Sequence, residues 1–381
     1  MIPSSISRRS SRMSRRDPTS PLRHLDPVLL ACTAVLAVIG VVTVYSATRG
    51  PGPEFSNTYL YKEVLFVLIG AVVMFIFTAV DYQKLHDWAW VFYGVTTVLL
   101  VLVVSPLGSR SNGAQAWFAV GPFQMQPAEF AKISLIGVLA FMLSEFRGDI
   151  DVRRTAALLG ISAIPMALIM LQPDLGLVLI LTVIMMAMLL IGGIPTRYIV
   201  VLTLAGVVGV VGALNSPVIK QYQQDRLTAF ANPDDRSNPA VYNIEQSKLA
   251  IANGQLTGQG LFEGSQTRLG TVPEQQTDFI FTAVAEQFGF VGAGIVLLLY
   301  ATMCHRILRI ARIAKDQFGT LVCVGVLAMF LFSVFENVGM AMGIMPVTGI
   351  PLLLLSAGGS STVTALAAIG LVLNVHMRRF R

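Results

Sequence analysis

The chain has 381 residues, 54% hydrophobic and 13% charged, with a net charge of +6 and a mean hydropathy of +0.70. A soluble domain carries about 25% charged residues, so the composition excludes an ordinary water-soluble protein and points to a membrane chain. Cys32, Cys304 and Cys323 fall in or beside apolar runs, and His24, His86, His305 and His376 stand singly, which speaks against a disulfide framework and against a zinc or haem site.

Residues 1–24, with "RRSSRMSRR", are polar and basic without apolar periodicity. They are expected to form a disordered tail, either in contact with anionic headgroups or simply solvated. Residues 25–376 read as one membrane domain, and 377–381 as a short basic end. A membrane helix needs roughly 20 mostly apolar residues. Ten runs meet that length: about 27–47, 62–80, 88–106, 128–146, 154–171, 174–193, 197–214, 278–302, 319–341 and 351–375. The first exceeds the about 7–15 apolar residues of a signal peptide and lacks a small-residue cleavage site, so it is expected to be a retained span. The fold class expected is all-α: a polytopic integral membrane protein with ten transmembrane helices and a long extracellular loop.

Orientation follows from the basic residues. Alternate segments hold 18 of the 27 Lys and Arg side chains, and the intervening segments hold eight. The short loops of the first set are the consistently basic ones, which places both termini in the cytoplasm. Two loops on the other side are long: 107–127, "LGSRSNGAQAWFAVGPFQMQP", and 215–277. Loops of such length are either functional or disordered. The second contains "YQQDRLTAF" and a helix-like "YNIEQSKLAIANG", so order is expected there.

Ionisable residues in the spans gather toward the outer half. Glu129 and Lys132 lie near the outer end of the fourth run, Asp174 opens the sixth, Asp278 opens the eighth with Glu286 further in, and Glu336 lies near the outer end of the ninth. Charges at such depths pair or line a cavity. Each also has a structural reading. Asp278 and Asp174 can cap helices. Glu129 and Lys132, three apart, can pair with each other. Glu286 and Glu336 can pair across helices or be neutral, and Trp117 can anchor at the interface instead of serving as a substrate platform. No phosphate loop is present, because "SAGGSS" at 356–361 lacks the lysine. Chemistry at the outer face would therefore need a substrate that carries its own activation, such as a lipid pyrophosphate.

The order of several motifs resembles the SEDS family (shape, elongation, division, sporulation), and within it the RodA branch. They are "NGAQAWF", "QPAEFAK", "QPDLG", "YQQDRL", "NPDD", "QSKLAI", "GQGLFEGSQTRLG", "VPEQQTDFIF", "ENVGMAMGIMPVTGIP" and "GGSS"; "PVTGIP" points to the branch. The chain departs from the family pattern at Ala116, at "QPAE", at Gln276 where a histidine is frequent, and in "PLLLLSAGGSS". A catalytic histidine at 276 is thereby excluded.

The resemblance implies peptidoglycan glycosyltransfer: polymerisation of lipid II at the outer face of the cytoplasmic membrane, with undecaprenyl pyrophosphate leaving. Asp278 is then the expected general base. Lys132, Arg226, Lys248 and Arg268 are candidates for the pyrophosphate, and Glu129, Asp174, Glu286 and Glu336 for polar cavity or structural roles. No cofactor is certain, and a divalent cation, Mg or Mn, stays open. The resemblance further implies a class B penicillin-binding protein as partner, with membrane lipids and undecaprenyl-linked glycan, and no nucleic acid. A lipid II flippase and a non-catalytic scaffold are the rival expectations.

Overall fold

A computed structural model describes residues 25–49, 58–111, 114–121, 123–146, 150–214, 221–235 and 237–379. The basic tail expected over 1–24 lies outside the described residues. Helices α1 (Pro27–Ala47), α2 (Thr58–Ala79) and α3 (Tyr82–Val104) come first. Strands β1 (Ser109–Ser111), β2 (Ala114–Val120) and β3 (Phe123–Met125) follow as an antiparallel meander, with Ser109 opposite Trp117 and Phe118 opposite Met125. Then come α4 (Pro127–Phe146), α5 (Val152–Met170), α6 (Leu175–Ile191), α7 (Thr196–Leu214), α8 (Gln221–Ala231), α9 (Pro239–Gly254), α10 (Ser265–Leu269), α11 (Ile280–Arg312), α12 (Gln317–Ala341) and α13 (Gly359–Arg378).

Each of the ten apolar runs falls on a helix. Eight of these helices have the length and composition to cross a membrane, whereas α6 and residues Thr196–Gly206 of α7 are shorter apolar helices. Aspartates set several starts. Asp26, Asp81, Asp151, Asp174 and Asp316 accept first-turn backbone N–H groups of α1, α3, α5, α6 and α12, satisfying donors a helix start leaves unpaired. The centre of the bundle is α13, buried from Ser360 to Arg378. Its Asn374 and Arg378 donate to the carbonyls of Phe77, Val80, Thr78 and Ala79, which closes the end of α2.

The eighth and tenth runs differ from expectation. The tenth is helical only from Gly359, since residues 351–358 form a non-helical entry to α13. The eighth is broken at Gly289, whose φ of 67° and ψ of −167° leave helical geometry and suit a residue without Cβ. The segment after α9 takes over the hydrogen bonds of the break. Phe290 and Val291 donate N–H to the carbonyls of Gln255 and Leu256 at 2.8 and 3.1 Å, while the N–H groups of Gln259 and Gly260 donate to Glu286 and Gln287 at 3.0 and 3.1 Å. Irregular backbone among apolar helices is stable only when neighbouring protein satisfies it in this way. Residues 290–312 remain as the long helix, and 280–288 form a separate short helix packed against α9.

Candidate active site

The turn that leads into α11 is wound on one carbonyl. Glu274 adopts a φ of 49°, and its carbonyl oxygen accepts from the N–H groups of Thr277, Asp278 and Phe279 at 3.2, 3.0 and 3.5 Å. From α12, the Asn337 side-chain amide donates to the carbonyls of both Asp278 (2.8 Å) and Ile350 (2.9 Å). The backbone around Asp278 is therefore pinned from two directions, while the residue itself stays half-buried.

The segment 346–351, "PVTGIP", assembles the surroundings. Thr348 Oγ1 donates to Glu336 Oε1 at 2.9 Å, and the Thr348 carbonyl packs on the first turn of α6 at Gly176. Gly349 has a φ of +78°, and a Cβ there would lie 3.3 Å from both Arg226 Nη1 and Asp278 Oδ2. A side chain would strain the backbone and press on both groups. The guanidinium carried by α8 thus faces the carboxylate across a single glycine.

Burial pushes the Asp278 carboxyl up from 3.8 to about 6; Arg226 and the Thr277 hydroxyl pull it down, and Glu274 and Asp174 push it up. At neutral pH such a group is largely ionised and still able to take a proton. Asp174, the α6 cap, accepts from Leu177 N–H at 3.0 Å and from the Gln126 amide at 3.3 Å. Burial raises its carboxyl as well, against the Leu177 N–H.

Of the other residues singled out in the sequence, Glu129 and Lys132 lie together in α4, buried, with Nζ 2.6 Å from Oε2. Glu336 is fully buried behind Thr348. Glu286 is not part of this cluster. It accepts from Gln266 N–H, Thr267 N–H, the Thr267 hydroxyl and the Ser265 hydroxyl at 2.6, 3.0, 2.6 and 3.3 Å, which caps α10. Lys248 is exposed on α9, its chain end lying over Gly343 at the end of α12. Arg268 is exposed in the last turn of α10, and Trp117 stands in the middle of β2, opposite Ser109. Neither Arg268 nor Trp117 shares a hydrogen bond or ion pair with Asp278 among the described residues.

Four participants were not singled out from the sequence: Glu274, Asn337, Thr348 and Gly349. All lie within quoted motifs, and Asn337 carries a usable signal, an amide beside Glu336 inside an apolar run. Among the described residues no group of three or more His, Cys, Asp and Glu side chains is placed to hold a metal ion.

The profile of the FtsW/RodA/SpoVE cell cycle proteins matches residues 26–380. Stage V sporulation protein E of Bacillus subtilis is 37% identical over 94% of this chain and 97% of its own. The peptidoglycan glycosyltransferase RodA of Treponema pallidum is 34% identical over 93% and 98%. A solved peptidoglycan synthase complex, described as coordinating polymerization and crosslinking, contains a chain that superposes with a TM-score of 0.80 at 31% identity, over 94% of this chain and 99% of that one. With the match spanning nearly the whole sequence and all of its membrane helices, the chain belongs to the FtsW/RodA/SpoVE family, the SEDS family of multi-pass membrane proteins.

Proposed function

We propose that this chain is a peptidoglycan glycosyltransferase of the RodA branch that polymerises lipid II at the outer face of the cytoplasmic membrane, for cell elongation and shape. Family membership and relatives named for this activity support the reaction class. The observation that carries the mechanism is the Asp278 carboxylate facing Arg226 across Gly349.

The C4 hydroxyl of the acceptor N-acetylglucosamine attacks the anomeric carbon of the donor N-acetylmuramic acid. Asp278 takes the hydroxyl proton as the new C–O bond forms. The bond from the anomeric carbon to the pyrophosphate oxygen breaks, and undecaprenyl pyrophosphate leaves with the electron pair. A base titrating near neutrality suits this step. The Arg226 fork, whose planar donors match phosphate oxygens, stabilises the departing pyrophosphate. Lys132, held by Glu129, positions the start of α4, and exposed Lys248 and Arg268 contribute only to the field that draws the substrate in.

The ten apolar helices are read as ten spans over residues 25–376, with both termini cytoplasmic and the two long loops, 107–127 and 215–277, outside. The asymmetry of basic residues supports this orientation. A class B penicillin-binding protein is the proposed partner, supported by the likeness to a complex that couples polymerization to crosslinking.

The test is polymerisation of labelled lipid II by the purified chain and by Asp278→Asn, each with and without a class B transpeptidase. Glycan strands from the wild type and none from the folded variant are expected. Near-normal polymer from Asp278→Asn would remove the general base. No polymer from any preparation, with lipid II translocated in liposomes, would replace the polymerase by a flippase.

A further inference from the structure

Helix α2 buries three of its 22 residues, Glu63, Gly70 and Thr78, which form one stripe along the helix. That stripe faces α13. A Cβ at Gly70 would lie 3.3 Å from Val363 Cα, and the Thr78 hydroxyl donates to the Gly370 carbonyl at 3.3 Å. Glycine and threonine suit close helix contact inside an apolar bundle. A carboxylate does not, since burying it is costly unless its oxygens are satisfied. Glu63 is 5% exposed and takes no part in the reaction assigned to Asp278.

Its partners lie at the start of α13. The Thr362 hydroxyl donates to Glu63 Oε1 at 3.3 Å, and the Gly358 N–H donates to the same carboxylate. Gly358, the residue before the helix, brings no side-chain cap of its own, so α2 supplies an acceptor that the helix start needs. The segment held in this way is joined to the candidate site on two sides. The Ala357 N–H donates to the Gln276 carbonyl at 2.8 Å, two residues before Asp278. The Gln126 N–H donates to Ser360 Oγ at 3.0 Å, and the Gln126 amide reaches Asp174.

We propose that Glu63 is a positioning residue: by fixing the start of α13 it holds the turn that presents Asp278. Its bearing on catalysis rests on the reading of Asp278 as general base, whereas the mechanical link through α13 does not. What Glu63 contributes is an acceptor and not a charge, because both of its donors are neutral. A glutamine keeps an acceptor oxygen at the same reach, and a leucine keeps bulk without the acceptor.

Glu63→Leu, Glu63→Gln and Thr78→Val would be compared with the wild type by lipid II polymerisation and by amide hydrogen exchange. Thr78→Val removes a hydrogen bond from the same stripe about 22 Å further along α2. For Glu63→Leu, kcat should fall roughly tenfold or more with KM for lipid II unchanged, the signature of lost positioning. Exchange at Thr277, Asp278 and Phe279 should rise roughly tenfold in the same variant. Glu63→Gln should keep most of the rate, and Thr78→Val should leave both readouts at wild-type values. A kcat for Glu63→Leu within about twofold of wild type would overturn the role. So would unchanged exchange at 277–279, equal effects from Thr78→Val, or a Glu63→Gln as slow as Glu63→Leu. If the wild type makes no polymer, the general base falls, and exchange at 277–279 alone decides the link through α13. Should Glu63→Leu fail to fold, Glu63→Asp, which withdraws the acceptor by one methylene, must show both changes in smaller degree; wild-type values in both would overturn the role.

Discussion

Asp278 and Glu286 lie eight residues apart in one stretch of sequence, and the fold treats them in opposite ways. Glu286 is fully buried and receives four hydrogen bonds from two backbone N–H groups and two hydroxyls. Both of its oxygens are occupied by donors at the start of α10, so its role is to hold that helix start. Asp278 has its backbone fixed by Glu274 and Asn337, while the residue is only partly buried and its carboxylate faces Arg226. What separates the structural carboxylate from the proposed base is both burial and who satisfies it: Glu286 is closed in by four donors, whereas Asp278 is only partly buried and faces a guanidinium.

The sharpest way to break this contrast is to remove each charge in turn. Asp278→Asn should lower polymerisation by about 10²–10⁴-fold, the usual worth of a general base. Its melting temperature at pH 7.5 should be unchanged or higher. The sign follows from the raised carboxyl: the folded chain holds a proton that the unfolded chain releases between pH 3.8 and about 6, so this group's contribution to stability falls through that window and its cost is complete above it. A clear drop in melting temperature would place Asp278 with Glu286 as a structural group.

Arg226→Gln should cost about 10²-fold in rate by withdrawing charge from the leaving group. The wild-type rate should fall as pH drops through about 6, where Asp278 becomes protonated. In Arg226→Gln that inflection should move upward, because the guanidinium holds the carboxyl down. An unmoved inflection would detach Arg226 from Asp278. Glu286→Gln should instead lower stability by about 2–3 kcal/mol, since an amide NH₂ now meets donors that had charge-assisted acceptors. Chemical denaturation would read this loss, and the protein that remains folded should keep its polymerase activity. Gly349→Ala is expected to be the mildest in stability, about 1–2 kcal/mol for an alanine at positive φ, with activity falling as the Cβ presses on Arg226 and Asp278.

Much of the candidate site is legible in the sequence. Asp278, Glu336, Asp174 and the Glu129–Lys132 spacing stand out because ionisable residues in apolar runs are rare enough to be read singly. Arg226 stands out only as one of several basic residues in a long loop, and nothing in its neighbours ranks it above Lys248 or Arg268. Gly349 and Thr348 act through backbone geometry and one hydroxyl, which leave no mark in composition. The meander at 109–125 escaped notice because three short strands are too brief for an alternating pattern to register.

What the sequence by itself determined is the solvent the chain folds in, the ten apolar helices, the basic side of the bundle and the aspartate at the start of α11. These follow from local quantities: hydropathy summed over a run, charge counted per loop, residue type at a helix start. Only the tertiary structure decided that α11 breaks at Gly289, that Glu286 is spent on α10, and that Arg226 reaches Asp278 from a separate helix of the long loop. Each of these depends on which distant backbone donors, acceptors and charges come within hydrogen-bond or Coulomb range. Such pairings are set by packing between segments and not by the order of residues within any one of them.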